Sequence, residues 1–160
     1  GYIDTFRMMR WSMGGIQAVG FGPVLATLPA LAVIFAVAFV TAPEFNLFVC
    51  GEDIAASRGV SVVRLRRLLF FSVSIVIGIN VATCGPIGFV GLLGPHICRK
   101  FVGTDHRKLA LASLFFGGAF LVLCDTAARI LWSPAEVPVG VLTSFIGSIF
   151  FLWLLVRGRR

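Results

Sequence analysis

Long apolar runs, interrupted by short clusters of charge, set the pattern of this chain. Residues 11–43, 68–98, 109–124 and 137–156 contain no Asp, Glu, Lys or Arg. A helix rises about 1.5 Å per residue, so roughly 20 apolar residues cross a bilayer. The pattern predicts full spans over 24–42, 68–84, 109–131 and 139–156, with a shorter membrane segment over 87–102. Pro29 falls near the start of the first span, where a missing N–H costs little.

The stretch 68–98 holds 31 uncharged residues, too many for one ordinary span, and Gly85-Pro86 divides it. Beyond that division the chain is punctuated by Gly88, Gly91, Gly94 and Pro95 and closes on Arg99 and Lys100. Glycines at every third position sweep about half of a helix circumference, so neighbours approach closely on several sides. Lipid cannot satisfy an irregular backbone, so protein or a water-filled cavity must. The segment therefore reads either as a tightly packed wall or as the lining of a pathway.

Between the first two spans lies the longest polar stretch, 43–67. Asn46 is expected to cap a helix running to about Arg58, Gly59 to take the left-handed position after it, and Ser61 to cap the next helix. The result is a pair of helices over 46–67 outside the bilayer. Asp125 and Arg129 stand four apart, acid first, the favourable order for an ion pair on one helix face. Ser133, Pro134 and Glu136 fit a capping box, and Pro138 breaks the next turn. Trp132 belongs at an interface.

Composition agrees with the pattern. Hydrophobic residues make up 58% and charged residues 13%, and mean hydropathy is +0.98, which places the chain in the membrane. The net charge of +7 fits the positive-inside rule. If the chain returns after 84, one side carries Arg58, Arg64, Arg66, Arg67, Arg99, Lys100, Arg107, Lys108, Arg157, Arg159 and Arg160. The other side carries only Arg7, Arg10 and Arg129. That imbalance makes the first side cytoplasmic. The basic residues cluster at span ends without interleaved aromatics, which argues against nucleic acid as a partner.

Cys50, Cys84, Cys98 and Cys124 show no CxxC spacing, and His96 and His106 are not spaced as metal ligands. No HExxH motif and no Gly-Lys pair occurs. The expectation is no catalytic centre, no metal and no cofactor, with any ATP hydrolysed by a partner. His96 reads as a packed or capping residue.

The residues Gly85-Pro86-Ile87-Gly88-Phe89-Val90-Gly91-Leu92, then Pro95-His96 and Arg99, resemble the signature of the FecCD-type permeases. These are membrane subunits of type II ABC importers for iron-siderophores, haem and cobalamin. Further motifs agree with the resemblance. Gly51-Glu52 with Ala55, Ala56 and Gly59 is similar to the family's coupling segment. Asp105-His106-Arg107, Asp125 with Arg129, and Glu136, Pro138, Val139, Gly140 and Thr143 are similar to three later elements. Trp11, Met13 and Gly14 are similar to an upstream one. The departures are Arg58 for Leu, Gly94 for Val or Ile, and a Gly147-Ser148-Ile149-Phe150 run in place of a Gly-x-Pro-x-Phe pattern.

The resemblance implies an all-α, polytopic transmembrane helix bundle with about five membrane segments, in the inner membrane of a bacterium or archaeon. It maps onto the C-terminal half of a permease, so the chain is expected to be a fragment. It implies a permease homodimer or heterodimer, an ABC ATPase subunit and a substrate-binding protein as partners, besides membrane lipid. Gly51, Glu52, Ala55 and Gly59 become the candidate ATPase-coupling surface. Arg129 becomes the candidate docking contact for the binding protein. Glu136, Pro138, Gly140 and Thr143 become the outer gate region. Gly85, Pro86, Gly88, Gly91, Pro95, His96 and Arg99 become signature and packing positions. A secondary transporter or channel without an ATPase is the alternative reading.

Overall fold

The structure, a computed structural model, describes residues 1–16, 21–131 and 137–157. The described residues form helices α1 (Tyr2–Ser12), α2 (Gly22–Val49), α3 (Glu52–Ser57), α4 (Val62–Cys84), α5 (Val90–Val102), α6 (His106–Leu131) and α7 (Val139–Arg157). No strand occurs among them. Four of these helices, α2, α4, α6 and α7, are long and apolar enough to cross a membrane. The all-α membrane-bundle class expected from the pattern is what the chain adopts. The expected cap at Ser133, Pro134 and Glu136, together with Trp132, Arg159 and Arg160, lies outside the described residues.

The bundle has two distinguishable ends. One gathers the C-termini of α2, α5 and α7 with α3 and the starts of α4 and α6, and carries most of the cations. We call it the basic end. At the opposite end meet α1, the C-termini of α4 and α6, and the start of α7. Large apolar side chains mostly point outward, and the largest fully buried side chains are only Val139 and Thr143. Small residues at the contacts let helices approach closely, the packing logic of helices in lipid.

The helix α2 has 28 residues, about 42 Å, and so exceeds the hydrocarbon thickness. It does not stop after residue 42, and Asn46 does not open a new helix. Both Pro29 and Pro43 lie inside it. Pro43 removes one backbone bond, but continuing the helix brings Phe45 and Phe48 against Leu65 and Leu69 of α4. Both rings are half-buried there, and that burial offsets the missing bond.

Asn46 instead caps a distant helix. Its Oδ1 accepts the backbone N–H of His106 at 3.2 Å and lies 2.6 Å from His106 Nδ1. The Phe45 ring stacks on His106 with centroids 5.3 Å apart. Asp105, just before α6, accepts the N–H of Arg107 at 3.0 Å. Two of the orphan amides at the start of α6 are thus satisfied, one from its own turn and one from α2.

Candidate functional site

At the basic end, α3 protrudes between α2 and α4. Its six residues end in a Schellman turn. The Val60 N–H donates to the Ala55 carbonyl and the Gly59 N–H to the Ala56 carbonyl, both at 3.0 Å. Gly59 sits at φ 84°, with open space where a Cβ would be. The left-handed position expected for it is therefore occupied. Ser61 takes the N-cap position of α4 but makes no side-chain capping bond, which corrects that expectation.

Glu52 faces solvent and accepts a hydrogen bond from Arg66 Nη2 at 2.6 Å. Both side chains are more than half exposed, so the pair is screened and weak. Ala55 is fully buried. It holds α3 against the bundle and offers no surface to a partner, which corrects its assignment to the coupling face. The exposed residues are Glu52, Asp53, Ile54, Ala56, Ser57, Arg58 and Gly59, with Gly51 half-buried beside them.

In the middle of the bundle, residues 85–88 run without helical structure into α5, which has 13 residues and is too short to span. This segment lies against the small-residue face of α7. A Cβ on Gly147 would overlap the Phe89 side chain, and one on Gly88 would come within 3.2 Å of Ser144 Oγ. Phe89 fills the notch over Gly147 while holding φ 66°, the one left-handed non-glycine among the described residues. That backbone costs about 1–2 kcal/mol, offset by seating the ring. Protein therefore covers part of the irregular backbone, with Gly85 buried and Ile87, Gly88 and Phe89 half-buried.

The signature residues divide accordingly. Gly85 and Gly94 are buried, Gly88 packs on α7, and Gly94 faces Phe116 and Ser113 of α6. Gly91 is exposed with nothing nearby, so close packing does not account for it. Pro86 is exposed, and Pro95 lies inside α5. The His96 ring meets Phe150 of α7 edge-on at 5.8 Å, so it is a packed residue with one exposed side. Arg99 is exposed in the last turn of α5, a favourable place for a cation.

The opposite end is joined backbone to backbone. The Gly140 N–H donates to the Gly14 carbonyl at 3.0 Å, and the Gly15 N–H to the Cys84 carbonyl at 2.8 Å. Trp11 Nε1 reaches the Ala82 carbonyl at 3.4 Å. A Cβ on Gly85 would overlap the Trp11 carbonyl, one on Gly14 the Pro86 carbonyl, and one on Gly140 the Met13 carbonyl. Gly140 and Thr143 are buried, with Thr143 Oγ1 donating to the Gly140 carbonyl at 3.1 Å. Both pack beneath the clasp, where Gly140 meets the Met13 and Gly14 carbonyls. Glu136 lies outside the described residues.

Beside the clasp opens a cavity of about 450 Å³, lined by Phe6, Arg7, Arg10, Asp125, Arg129 and Pro138 among others. The three cations assigned to this side by charge counting share one cavity. Arg129 donates from Nε to Asp125 at 2.8 Å and from Nη2 to the Ile16 carbonyl at 3.2 Å. It is half-exposed, so it ties α6 to residue 16 and still presents charge outward.

Three features have no counterpart in the sequence pattern: the Asn46–His106 cap, the Phe89 seat on Gly147, and the sharing of one cavity by Arg7, Arg10 and Arg129. For the second, a signal exists in the small residues Gly140, Thr143, Ser144 and Gly147, repeated at helical spacing in α7. No metal-holding group of His, Cys, Asp or Glu exists among the described residues.

Residues 2–157 match the FecCD transport family. The chain is 45% identical over 147 residues to the cobalamin import system permease protein BtuC of Halobacterium salinarum, covering 92% of this chain and 39% of that one. It is 39% identical over 158 residues to the vitamin B12 import system permease protein BtuC of Yersinia pestis, covering 97% and 46%. A solved structure of a putative metal-chelate type ABC transporter in an inward-facing conformation superposes with a TM-score of 0.85 at 30% identity, over 94% of this chain and 50% of that one. The chain thus spans half or less of the length of these relatives.

Proposed function

The chain belongs to the FecCD transport family, and from that premise we propose that it forms the C-terminal half of the permease of an ATP-driven cobalamin importer. Such a permease lines the pathway and works as a dimer. A separate ATPase binds at the basic end and a substrate-binding protein at the opposite end. Iron-siderophore and haem are the other substrates compatible with the family.

The observation that carries the reading is α3. A short exposed helix with an open Gly59 turn protrudes between two spans at the cation-rich end. A connection between adjacent spans needs only about 2–8 residues. The surplus is ordered into an exposed surface. The positive-inside rule puts that surface in the cytoplasm, where ATP is available. Gly51, Glu52 and Gly59 are its coupling positions. At the opposite end Arg129 supplies charge for docking, which favours register and encounter rate more than raw affinity.

The test uses the full-length permease, its ATPase and its binding protein reconstituted in liposomes. Glu52→Arg should lower binding-protein-stimulated ATP hydrolysis by about tenfold or more while leaving binding-protein docking intact. Arg129→Glu should do the reverse, slowing docking at low salt, with the defect masked as salt rises. Uptake of labelled cobalamin in preference to ferric siderophore supports the substrate. Vanadate-insensitive, gradient-driven uptake overturns the ATP-driven reading.

A further inference from the structure

The helices pack in two groups. Helices α2, α3 and α4 pack on one another, and α5, α6 and α7 do the same. Between the groups, α2 against α6 is the one extensive helix–helix contact among the described residues. The chain also passes from α4 to α5 through 85–88, and the clasp joins the groups at the opposite end. At the basic end the groups meet at Asn46 and His106.

That meeting is more than a cap. A cap needs only the His106 N–H, which donates to Asn46 Oδ1 at 3.2 Å. The same oxygen also lies 2.6 Å from His106 Nδ1. A backbone amide only donates, so the atom facing it is the carbonyl oxygen, and Nδ1 must carry the proton to share it. The imidazole stacks on Phe45, the residue before Asn46, with the ring planes 20° apart. One hydrogen bond is a pivot. Two bonds to one atom and a stacked ring fix position and orientation together. Phe45, Asn46 and His106 are all half-buried, which limits competition from water.

The joint stands between α3 and the signature segment. Asn46 lies in the last turn of α2, and Glu52 opens α3 just beyond it. On the other side His106 opens α6, the helix on which α5 packs most extensively. Helix α5 is bounded by the non-helical residues 85–88 and by Gly103 at φ 79°, so both its ends can hinge while it stays on α6. The Lys100 ammonium of α5 lies 5.6 Å from the ring centroid of Trp153 in α7, with the Arg157 guanidinium 5.0 Å from the same centroid, which extends the group to α7.

We propose that Asn46 and His106, with Phe45, form a tie that makes α2 and α6 move as one body, so that a displacement of α3 reaches α5. Coupling between distant sites travels through packed side chains and hydrogen bonds of this kind. The three are positioning residues, acting through the helices they join. The inference rests on the import reading above, in which α3 receives the ATPase, and deepens it.

The test uses the full-length permease, its ATPase and its binding protein in liposomes, offered labelled cobalamin and a labelled ferric siderophore. The readout is cargo imported per ATP hydrolysed, for whichever cargo the wild type accumulates. Misfolding lowers both quantities together and leaves that ratio alone. His106→Ala keeps the backbone cap but removes the ring bond and the stack, and Asn46→Ala removes the acceptor. Each should lower the ratio by about fivefold or more, while Asn46→Asp, which still accepts both bonds, stays within about twofold of wild type. An unchanged ratio in either alanine variant reduces the joint to a plain helix cap and overturns the proposal. So does a fall in Asn46→Asp as deep as in Asn46→Ala. A wild type that imports neither cargo with ATP overturns the import reading itself, and the role of the tie with it.

Discussion

The two ends of the bundle are held together by different kinds of contact. At the opposite end, α1, α4 and α7 meet through main-chain hydrogen bonds from Gly15 to Cys84 and from Gly140 to Gly14, at glycines whose missing Cβ atoms allow the approach. At the basic end the helices are joined by side chains: Asn46 to His106, Glu52 to Arg66, and the cations over Trp153. A backbone clasp has no rotamers to rearrange, so it holds one geometry. An exposed side-chain link such as Glu52–Arg66 is weak and re-forms easily. The end proposed to receive the ATPase is the one built to adjust, and the end beside the Arg129 cavity is the one built to keep its shape.

That contrast is breakable by substitution, and the clasp should give the largest effect. Gly140→Val drives a branched side chain into the Met13 and Gly14 carbonyls. Overpacking typically costs about 1–3 kcal/mol, and a rigid backbone obstacle belongs at the top of that range. The full-length permease should lose most of its monodisperse yield, or unfold several degrees lower in a thermal melt. A melt unchanged from wild type would mean the clasp is not the rigid element described.

The Asn46 cap should be intermediate. Asn46→Ala leaves the His106 amide without its acceptor and should cost about 1 kcal/mol, read as a modest drop in the same melt. Asn46→Asp should largely retain the bond. A deficit as large as that of Gly140→Val would make the basic end as rigid as the other and remove the contrast. Smallest of all should be Glu52→Gln. The exposed pair with Arg66 contributes about 0–1 kcal/mol, so the melt should barely move. Stimulated ATP hydrolysis is the sensitive readout there, and a stability loss without a change in hydrolysis would reduce Glu52 to a structural residue.

Much of the candidate site is legible in the chain. Gly59 is readable because a helix stop before Ser61 demands a left-handed residue, and only glycine takes it without strain. Asp125 and Arg129 are readable because their spacing is set by the helix itself. Ala55 is not, because a six-residue helix has no periodicity long enough to tell its buried face from its exposed one. The local context of Asn46, polar and after a proline, favours a cap on its own segment. The partner that decides otherwise lies sixty residues away. Spacing groups Gly91 with its neighbours, though only Gly85, Gly88 and Gly94 meet another segment.

The sequence by itself determined what depends on local hydration and local stereochemistry. Those are the apolar runs that become spans, the charge imbalance that separates the two ends, and the glycines and prolines that interrupt the chain around α5. Bilayer transfer energies and backbone sterics act on each stretch separately, so a one-dimensional reading suffices. Only the tertiary structure decided which small residues touch. Phe89 over Gly147, the Gly14–Gly140 bond and the pairing of Lys100 with Arg157 across Trp153 each join elements far apart in the chain. Their energies arise from close approach in three dimensions, which no pattern along one helix contains.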